Sequence, residues 1–552
     1  MVFYLFSVYN VLTHKYKEAI HVQTHQTRKT ILILTCFFLV VESLAYMLCV
    51  YYTASILQHA QDGSLPEMLK SALIAIALLA VKFVGAFAAK SASLKFLSDG
   101  TIRMRNDIMK SVFSRPFYLF RKQNDAYYLN LLGSDTDMYA LERLAMVPWI
   151  FSGISDIIIY IVSLYLIHPL LMAACLVLAL LPLLTSNAFT KITQRRKKAF
   201  SEASESFTEV MKEGIEGYEP LRIGHGEASY IERFLAACRK KQDAYSASSM
   251  ANAISMQTLY TSAIFLNIGC TAAGGWLLLQ GALPVTMLFA AVSYSSNLAN
   301  AFTNITEYII TIRSTKAIAK KLHAECQAGK ESKAADIPSE RSDLVYENVS
   351  FSFGDRQLYQ NFTYHFRENG VYAIIGESGS GKSTLLKLLL KYYDDYSGTI
   401  SLAGRDIKEL SEDEIFHDVG VVDQSPFLFN ASLYENIMLF SNDLAEDSDE
   451  YRRLLQDVNL TALAQRVGNT PLGDFGDNIS GGERQRINIA RAMRRHPRIM
   501  VFDEPTTGLD PENVNLINEF IFDHTDMLRI VIGHNRDSEY LKRFDDVIHI
   551  GK

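Results

Sequence analysis

The chain lacks the features that announce several common functions. Its six cysteines, Cys36, Cys49, Cys175, Cys238, Cys270 and Cys326, form no CxxC pair, and four of them sit in apolar runs. That distribution points away from a metal site and from a disulfide framework. An excess of one charge sign is also missing. Lys and Arg number 54 against 60 Asp and Glu, for a formal net charge of −6. No global basic field is left to hold nucleic acid. The one dense basic run, Arg195-Arg196-Lys197-Lys198, follows an apolar segment and reads as the flank of a membrane span. Internal repeats and low-complexity tracts are absent. No cleavable signal peptide is expected: Lys15, Lys17, Arg28 and Lys29 precede an apolar run too long for an h-region. An N-terminal peptidase domain is not expected either.

Apolar sequence is abundant, at 49% of 552 residues, and it clusters before about residue 310. Six candidate spans lie near 30–57, 69–90, 147–167, 170–188, 256–280 and 284–306. Each is near or above the ~20 residues a helix needs to cross a bilayer. The segments 91–146 and 189–255 are rich in Lys and Arg, whereas 58–68, 168–169 and 281–283 hold none. The positive-inside rule then places both termini and the two long loops in the cytoplasm. Those loops are charged and apolar-periodic, and are predicted to continue the spanning helices beyond the bilayer. The expected organisation is a cytoplasmic segment over 1–29, a transmembrane domain over 30–312, a linker over 313–340 and a compact α/β domain over 341–552.

The α/β domain carries the chemistry. Gly376-Glu377-Ser378-Gly379-Ser380-Gly381-Lys382-Ser383-Thr384 fits the phosphate-cradling pattern G-x-x-x-x-G-K-[ST] at every fixed position. An apolar strand pattern precedes it and a helical pattern follows, as that loop requires. Glycines let the backbone wrap phosphates, and free N–H groups at the helix start meet their charge. Lys382 is expected on the β/γ-phosphates of a nucleoside triphosphate and the Ser383 hydroxyl on Mg²⁺. A second run, Arg498-Ile-Met-Val-Phe-Asp503-Glu504, ends an apolar strand in two carboxylates, the first of them 119 residues beyond Thr384. Asp503 is expected at the metal and Glu504 as the general base for water.

Between these stands Ile479-Ser480-Gly481-Gly482-Glu483-Arg484-Gln485-Arg486. A serine and two glycines at a helix start make another anion cradle. Here the chain resembles the ATP-binding cassette family, whose signature is usually written with Leu first and Gln fifth; Ile479 and Glu483 depart from it. The resemblance implies that Ser480, Gly481, Gly482 and Glu483 face the γ-phosphate of a nucleotide held by an opposite subunit. It also implies roles for Gln424, as the glutamine at Mg²⁺, and for Asp510, as a loop aspartate at the dimer interface. His534 follows an apolar strand and is expected on the γ-phosphate. Phe353 stands where the family stacks an aromatic on adenine; a strand core residue is the alternative. Within the long loops, Arg103–Asp137 and Glu213–Glu227 look like the two intracellular loops that carry short coupling helices.

The whole layout resembles an exporter-type half-transporter: an all-α six-helix membrane domain fused to an α/β P-loop nucleotide-binding domain. It implies ATP hydrolysis coupled to translocation, with ATP and Mg²⁺ as cofactors and a second half-transporter, identical or not, as partner. Membrane lipids and a transported substrate are the other expected partners, and nucleic acid is not. Export of a lipid, drug-like compound or peptide from a bacterial inner membrane is the leading reading. Import through the same architecture, for example of siderophores, and an ATP-gated channel or regulatory subunit are the alternatives. Within the spans, Glu42, Lys82 and Asp156 carry charge where it is costly. Either they pair structurally, as Glu42–Lys82 or Lys82–Asp156, or they line a polar path.

Overall fold

The computed structural model describes residues 26–550 apart from 179, 328–342, 355, 378, 442 and 474–477. Most of the expected 1–29 segment, and the expected linker beyond residue 327, lie outside the described residues. The chain divides into two compact units, one holding the described residues of 26–114 and 123–327, the other those of 115–122 and 343–550.

The helices of the first stretch are α1 (Gln26–Gln61), α2 (Leu65–Phe113), α3 (Phe117–Phe120), α4 (Asp125–Ile167), α5 (Pro169–Leu178), α6 (Leu180–Glu216), α7 (Tyr218–Ile223), α8 (Glu227–Leu279), α9 (Val285–Ser314) and α10 (Lys316–Gln327). All but α3 build the first unit. Proline sets several boundaries. Pro66 lies in the first turn of α2, where its missing N–H costs nothing, and α2 stops at Phe113, short of Pro116. Pro169 opens α5 and Pro284 precedes α9. The 49 residues of α2 extend about 74 Å at ~1.5 Å per residue, more than twice a hydrocarbon core of ~30 Å. α4 includes two π-helical turns, at Leu131–Asp135 and Ala140–Leu144.

Among the described residues four helices are long and apolar enough to cross a membrane: α1 from Lys29, α2, α4 and α8. The predicted 170–188 span is divided between the short apolar α5 and α6. The predicted 284–306 span falls on α9, which is more polar because it packs against α1, α4, α6 and α8 rather than lipid. Ser295, Thr303 and Thr306 are buried along it. α2 shows the opposite arrangement. Its Leu73, Ile76, Phe83 and Phe87 are exposed at helical spacing, while Ser71, Ala75, Gly85 and Ala89 are buried. Gly85 lies against the backbone of Glu42 on α1, the close approach that small residues permit between spanning helices. Among the described residues no ion pair joins Lys82 to Glu42 or Asp156. Instead Lys82 Nζ lies 4.5 Å from the centre of the Tyr46 ring, and Asp156 accepts a hydrogen bond from Ser43.

The second unit has an antiparallel sheet, ordered β2-β1-β4-β5, of β1 (Leu344–Phe353), β2 (Arg356–Phe366), β4 (Ser397–Leu402) and β5 (Arg405–Asp406). A parallel sheet, ordered β6-β7-β8-β3-β9, holds β3 (Val371–Gly376), β6 (Val419–Val422), β7 (Ile499–Asp503), β8 (Leu528–Gly533) and β9 (Asp546–Ile550). Val371–Ile375, Ile499–Phe502 and Leu528–Ile532 are buried throughout, because helices or the second sheet cover both faces of such strands. One core contains Ile374, Leu388 and Ile530; the other contains Phe502, Ile487 and Val531. The segment around α3 is part of this unit although it comes from early in the chain. The Phe117 ring lies 4.6 Å from that of Tyr392 and 5.3 Å from that of Phe416. Its N–H donates to Glu412 Oε1 at 2.9 Å, and Arg121 sits 4.8 Å over Tyr392.

Candidate nucleotide site

Strand order explains why distant residues meet. β6, β7, β8 and β3 are parallel neighbours, so the chain leaves them all at one edge of the sheet, where open α/β sheets bind ligands. Gln424 follows β6, Asp503 ends β7 with Glu504 after it, His534 follows β8, and the glycine loop joins β3 to α11 (Lys382–Leu389). Lys382 is 5% exposed; its Nζ donates to the carbonyls of Gly376 at 3.0 Å and Glu377 at 2.9 Å, and lies 3.4 Å from His534 Nε2. Burial lowers the lysine pKa, against the pull of Glu504 and Asp503. Ser383 Oγ donates to Asp503 Oδ1 at 3.0 Å. Burial raises the Asp503 carboxyl above its ordinary range, and the bond from Ser383 opposes that.

Glu504 is held on two sides. His534 Nε2 is 2.7 Å from Oε1, and the Gln424 amide donates to Oε2 at 2.9 Å. The residue has φ of 49°, a left-handed conformation that costs a non-glycine residue of order 1–3 kcal/mol and collects at functional sites. In the loop, Gly381 has φ of 103°, and a Cβ there would stand 2.8 Å from the Tyr359 hydroxyl. That hydroxyl donates to the Gly381 carbonyl, and Arg356 donates to the carbonyl of Gly379. The Thr384 N–H closes the first turn onto Gly381 O at 2.6 Å. Ser380 Oγ is buried and has no partner among the described residues. A buried hydroxyl left over, a helix start, a lysine and a hydroxyl–carboxylate pair fit a triphosphate and a divalent cation. Ser378 lies outside the described residues. Phe353 ends β1 46% exposed, edge-on to Phe351 and Tyr393 at 5.0 and 5.1 Å, so one face stays open for stacking.

Ser480, Gly481, Gly482, Glu483 and Asp510 form a separate cluster. Among the described residues no hydrogen bond or ion pair joins them to Lys382, Ser383, Asp503 or Glu504. Ser480 caps α13 (Gly481–Met493), with α12 (Thr461–Val467) just before it in the chain, and Asp510 caps α14 (Pro511–Asp523). The two helix starts abut: a Cβ on Gly482 would stand 2.2 Å from the Asn513 side chain, which bonds Asp510 at 2.6 Å and Arg486. Glu483 closes a capping box with Ser480 and pairs with Arg466 at 2.9 Å. Its carboxyl, which burial raises, is held below the ordinary range by the Ser480 N–H and Arg466.

Sequence reasoning missed Tyr359, Arg466, Thr507 and Asn513. Thr507 Oγ1 lies 3.3 Å from Glu504 Oε2. Thr507 opens the Thr507-Gly508-Leu509-Asp510 loop that the resemblance picks out, without a role of its own there; for Arg466 the one available signal was Glu483, an acid at an anion-binding helix start that needs a cation nearby.

The family described as ABC transporter transmembrane region matches residues 32–302, and that described as ABC transporter matches 359–507. The chain is 26% identical over 477 residues to the ATP-dependent permease MDL2, mitochondrial, of Saccharomyces cerevisiae, covering 83% of this chain and 60% of the relative. It is 24% identical over 489 residues to an ATP-dependent lipid A-core flippase of Francisella novicida, covering 83% and 79%. The match thus spans about three fifths of MDL2's length. The fold is similar to a bacterial Atm1-family ABC exporter solved with ATP bound, with TM-score 0.83 and 20% identity over 95% of this chain and 93% of the other. With both family regions in one chain, in the order membrane helices then nucleotide fold, the protein belongs to the ABC transporter family.

Proposed function

We propose that the chain is one half of a dimeric, ATP-driven membrane transporter that exports a lipid, drug-like compound or peptide. One observation carries the reading: Lys382, Ser383, Asp503, Glu504, His534 and Gln424 converge at one sheet edge in a chain that also holds membrane-length helices. The relative named as a lipid A-core flippase supports a lipid within that substrate range.

The loop N–H groups and Lys382 hold the phosphates of ATP. Ser383 and Asp503, with Gln424 nearby, would hold Mg²⁺, which would neutralise phosphate charge when bound. Glu504 takes the proton of the attacking water, and His534 holds Glu504 and reaches the γ-phosphate. The cradle at Ser480 serves the nucleotide of a second chain, which is why it stands apart from Lys382 in a single one. ATP then favours the joined form of two cassettes, and hydrolysis releases it. Exposed apolar surface supports an assembly: Phe427 and Phe440 are exposed in the second unit, and α7, with Tyr218 and Ile223 exposed, buries no residue in the first. The loop charges support cytoplasmic termini, and the bacterial inner membrane is the proposed location.

Glu504→Gln in lipid nanodiscs tests the reading. It should bind ATP with unchanged affinity and lose hydrolysis by about 10²–10⁴-fold, the contribution of a positioned base. Parental turnover in that variant would overturn the assignment.

A further inference from the structure

We propose that Arg466 is a positioning residue for the nucleotide: its guanidinium neutralises Glu483, so that a helix start bearing a carboxylate can still receive the γ-phosphate offered by a second chain. This rests on the reading that the Ser480 cradle meets ATP.

The physical problem is set by the sequence. A helix N-terminus carries about half a positive elementary charge, which is what makes it an anion site. Glu483 stands at the third position of α13 and places a full negative charge there. Its carboxylate also occupies one of the donors: Oε2 accepts the Ser480 N–H at 2.8 Å, while the Ser480 hydroxyl accepts the Glu483 N–H at 3.2 Å. Alone, this capping box would give α13 a net negative start and repel a phosphate. Arg466, near the end of α12, meets the remaining carboxylate oxygen with Nη2 at 2.9 Å. The Glu483 side chain is 13% exposed, so solvent screens its charge weakly, while the Arg466 side chain is 56% exposed. The pair restores the positive potential of the helix start. It also fixes the Glu483 carboxylate in the box, so Ser480 keeps its orientation.

A glutamine at 483 would cap the helix without the charge and would need no arginine. That sets up a cycle of Arg466→Ala, Glu483→Gln and the double variant, with ATP-dependent hydrolysis and ATP-driven dimer closure, read by cross-linking of the cassettes, as measurements. Arg466→Ala should raise the KM for ATP about three- to tenfold and reduce closure, with kcat less affected. In the Glu483→Gln background Arg466→Ala should have no further effect, so the double variant should return to the KM of Glu483→Gln alone. Arg466→Lys should fall between parent and alanine variant, and it keeps the test open if the alanine form unfolds. A parental KM in Arg466→Ala, or no recovery in the double variant, overturns the proposal and leaves Arg466 a structural contact. Ser480→Arg separates the two levels. Loss of hydrolysis there with an insensitive Arg466 sinks only this inference; full hydrolysis there sinks the cradle reading as well.

Discussion

Asp503 is where local environment becomes a measurable property. Its raised pKa means that it keeps its proton at a pH where an ordinary aspartate is ionised, and the metal proposed there would have to displace that proton. Mg²⁺-dependent nucleotide binding should therefore weaken on acidification earlier than an unperturbed carboxylate would give. Titrating Mg²⁺ against a fluorescent ATP analogue from acid to neutral pH checks this, and Asp503→Asn should abolish the pH dependence along with most of the Mg²⁺ effect. The sign for folding is the opposite: a raised carboxylate pKa favours the folded state at low pH and opposes it once ionised. Gly482 offers a second test. With the Asn513 side chain where a Cβ would go, Gly482→Ala must push α13 from α14, and ATP turnover should fall at least tenfold while Gly482→Ala/Asn513→Ala recovers part of it. The nucleotide residues were legible because each lies in a contiguous pattern or at a strand tip. Arg466, Asn513 and Tyr359 were not, because a side chain that acts across the gap to another element leaves no periodic trace.

Helices repeat the lesson at the next scale. Apolar length announced α1, α2 and α8 as spans, since helices that meet lipid must be apolar on their outer face. It announced α9 less well, since a helix enclosed by α1, α4, α6 and α8 can carry Ser295, Thr303 and Thr306 inward. The exposed stripe on α2 predicts an asymmetry. Phe83→Asp should cost insertion about 3 kcal/mol and lower the alkali-resistant membrane fraction, whereas Ser71→Ala on the buried side should leave it unchanged. A similar fraction for both variants would contradict an outward, lipid-facing Phe83. In the second unit α3 depends on one ring. Phe117→Ala removes its packing on Tyr392 and Phe416, a half-buried aromatic worth about 2 kcal/mol, and should open Arg115, Arg121 and Lys122 to trypsin. An unchanged digestion pattern would show that Arg121 and the Glu412 bond suffice. The family resemblance implied a short coupling helix within Arg103–Asp137 that presses on the nucleotide-binding domain near Gln424, but no sequence pattern named Tyr392 and Phe416 as its partners, because they lie hundreds of residues away.

At the scale of the whole molecule, the proposed roles of Glu504, His534 and Ser480 imply that two copies would form two complete sites. The chain purified alone into nanodiscs should have the mass of a dimer and an ATPase that Glu504→Gln abolishes. A monomer, or an inert dimer, would direct the search to a different second half. The assignment of the segment 115–122 to the nucleotide-binding unit also bears on how the protein is made. Phe117 waits for Glu412, 295 residues later in the chain. At about 5–20 residues per second, the ribosome delivers that partner roughly 15–60 s after the segment emerges. Through that interval an aromatic side chain destined for another unit stands uncovered beside a growing membrane bundle, so the last-made half of the protein completes the first-made half's unfinished loop, and chaperone dependence should concentrate there.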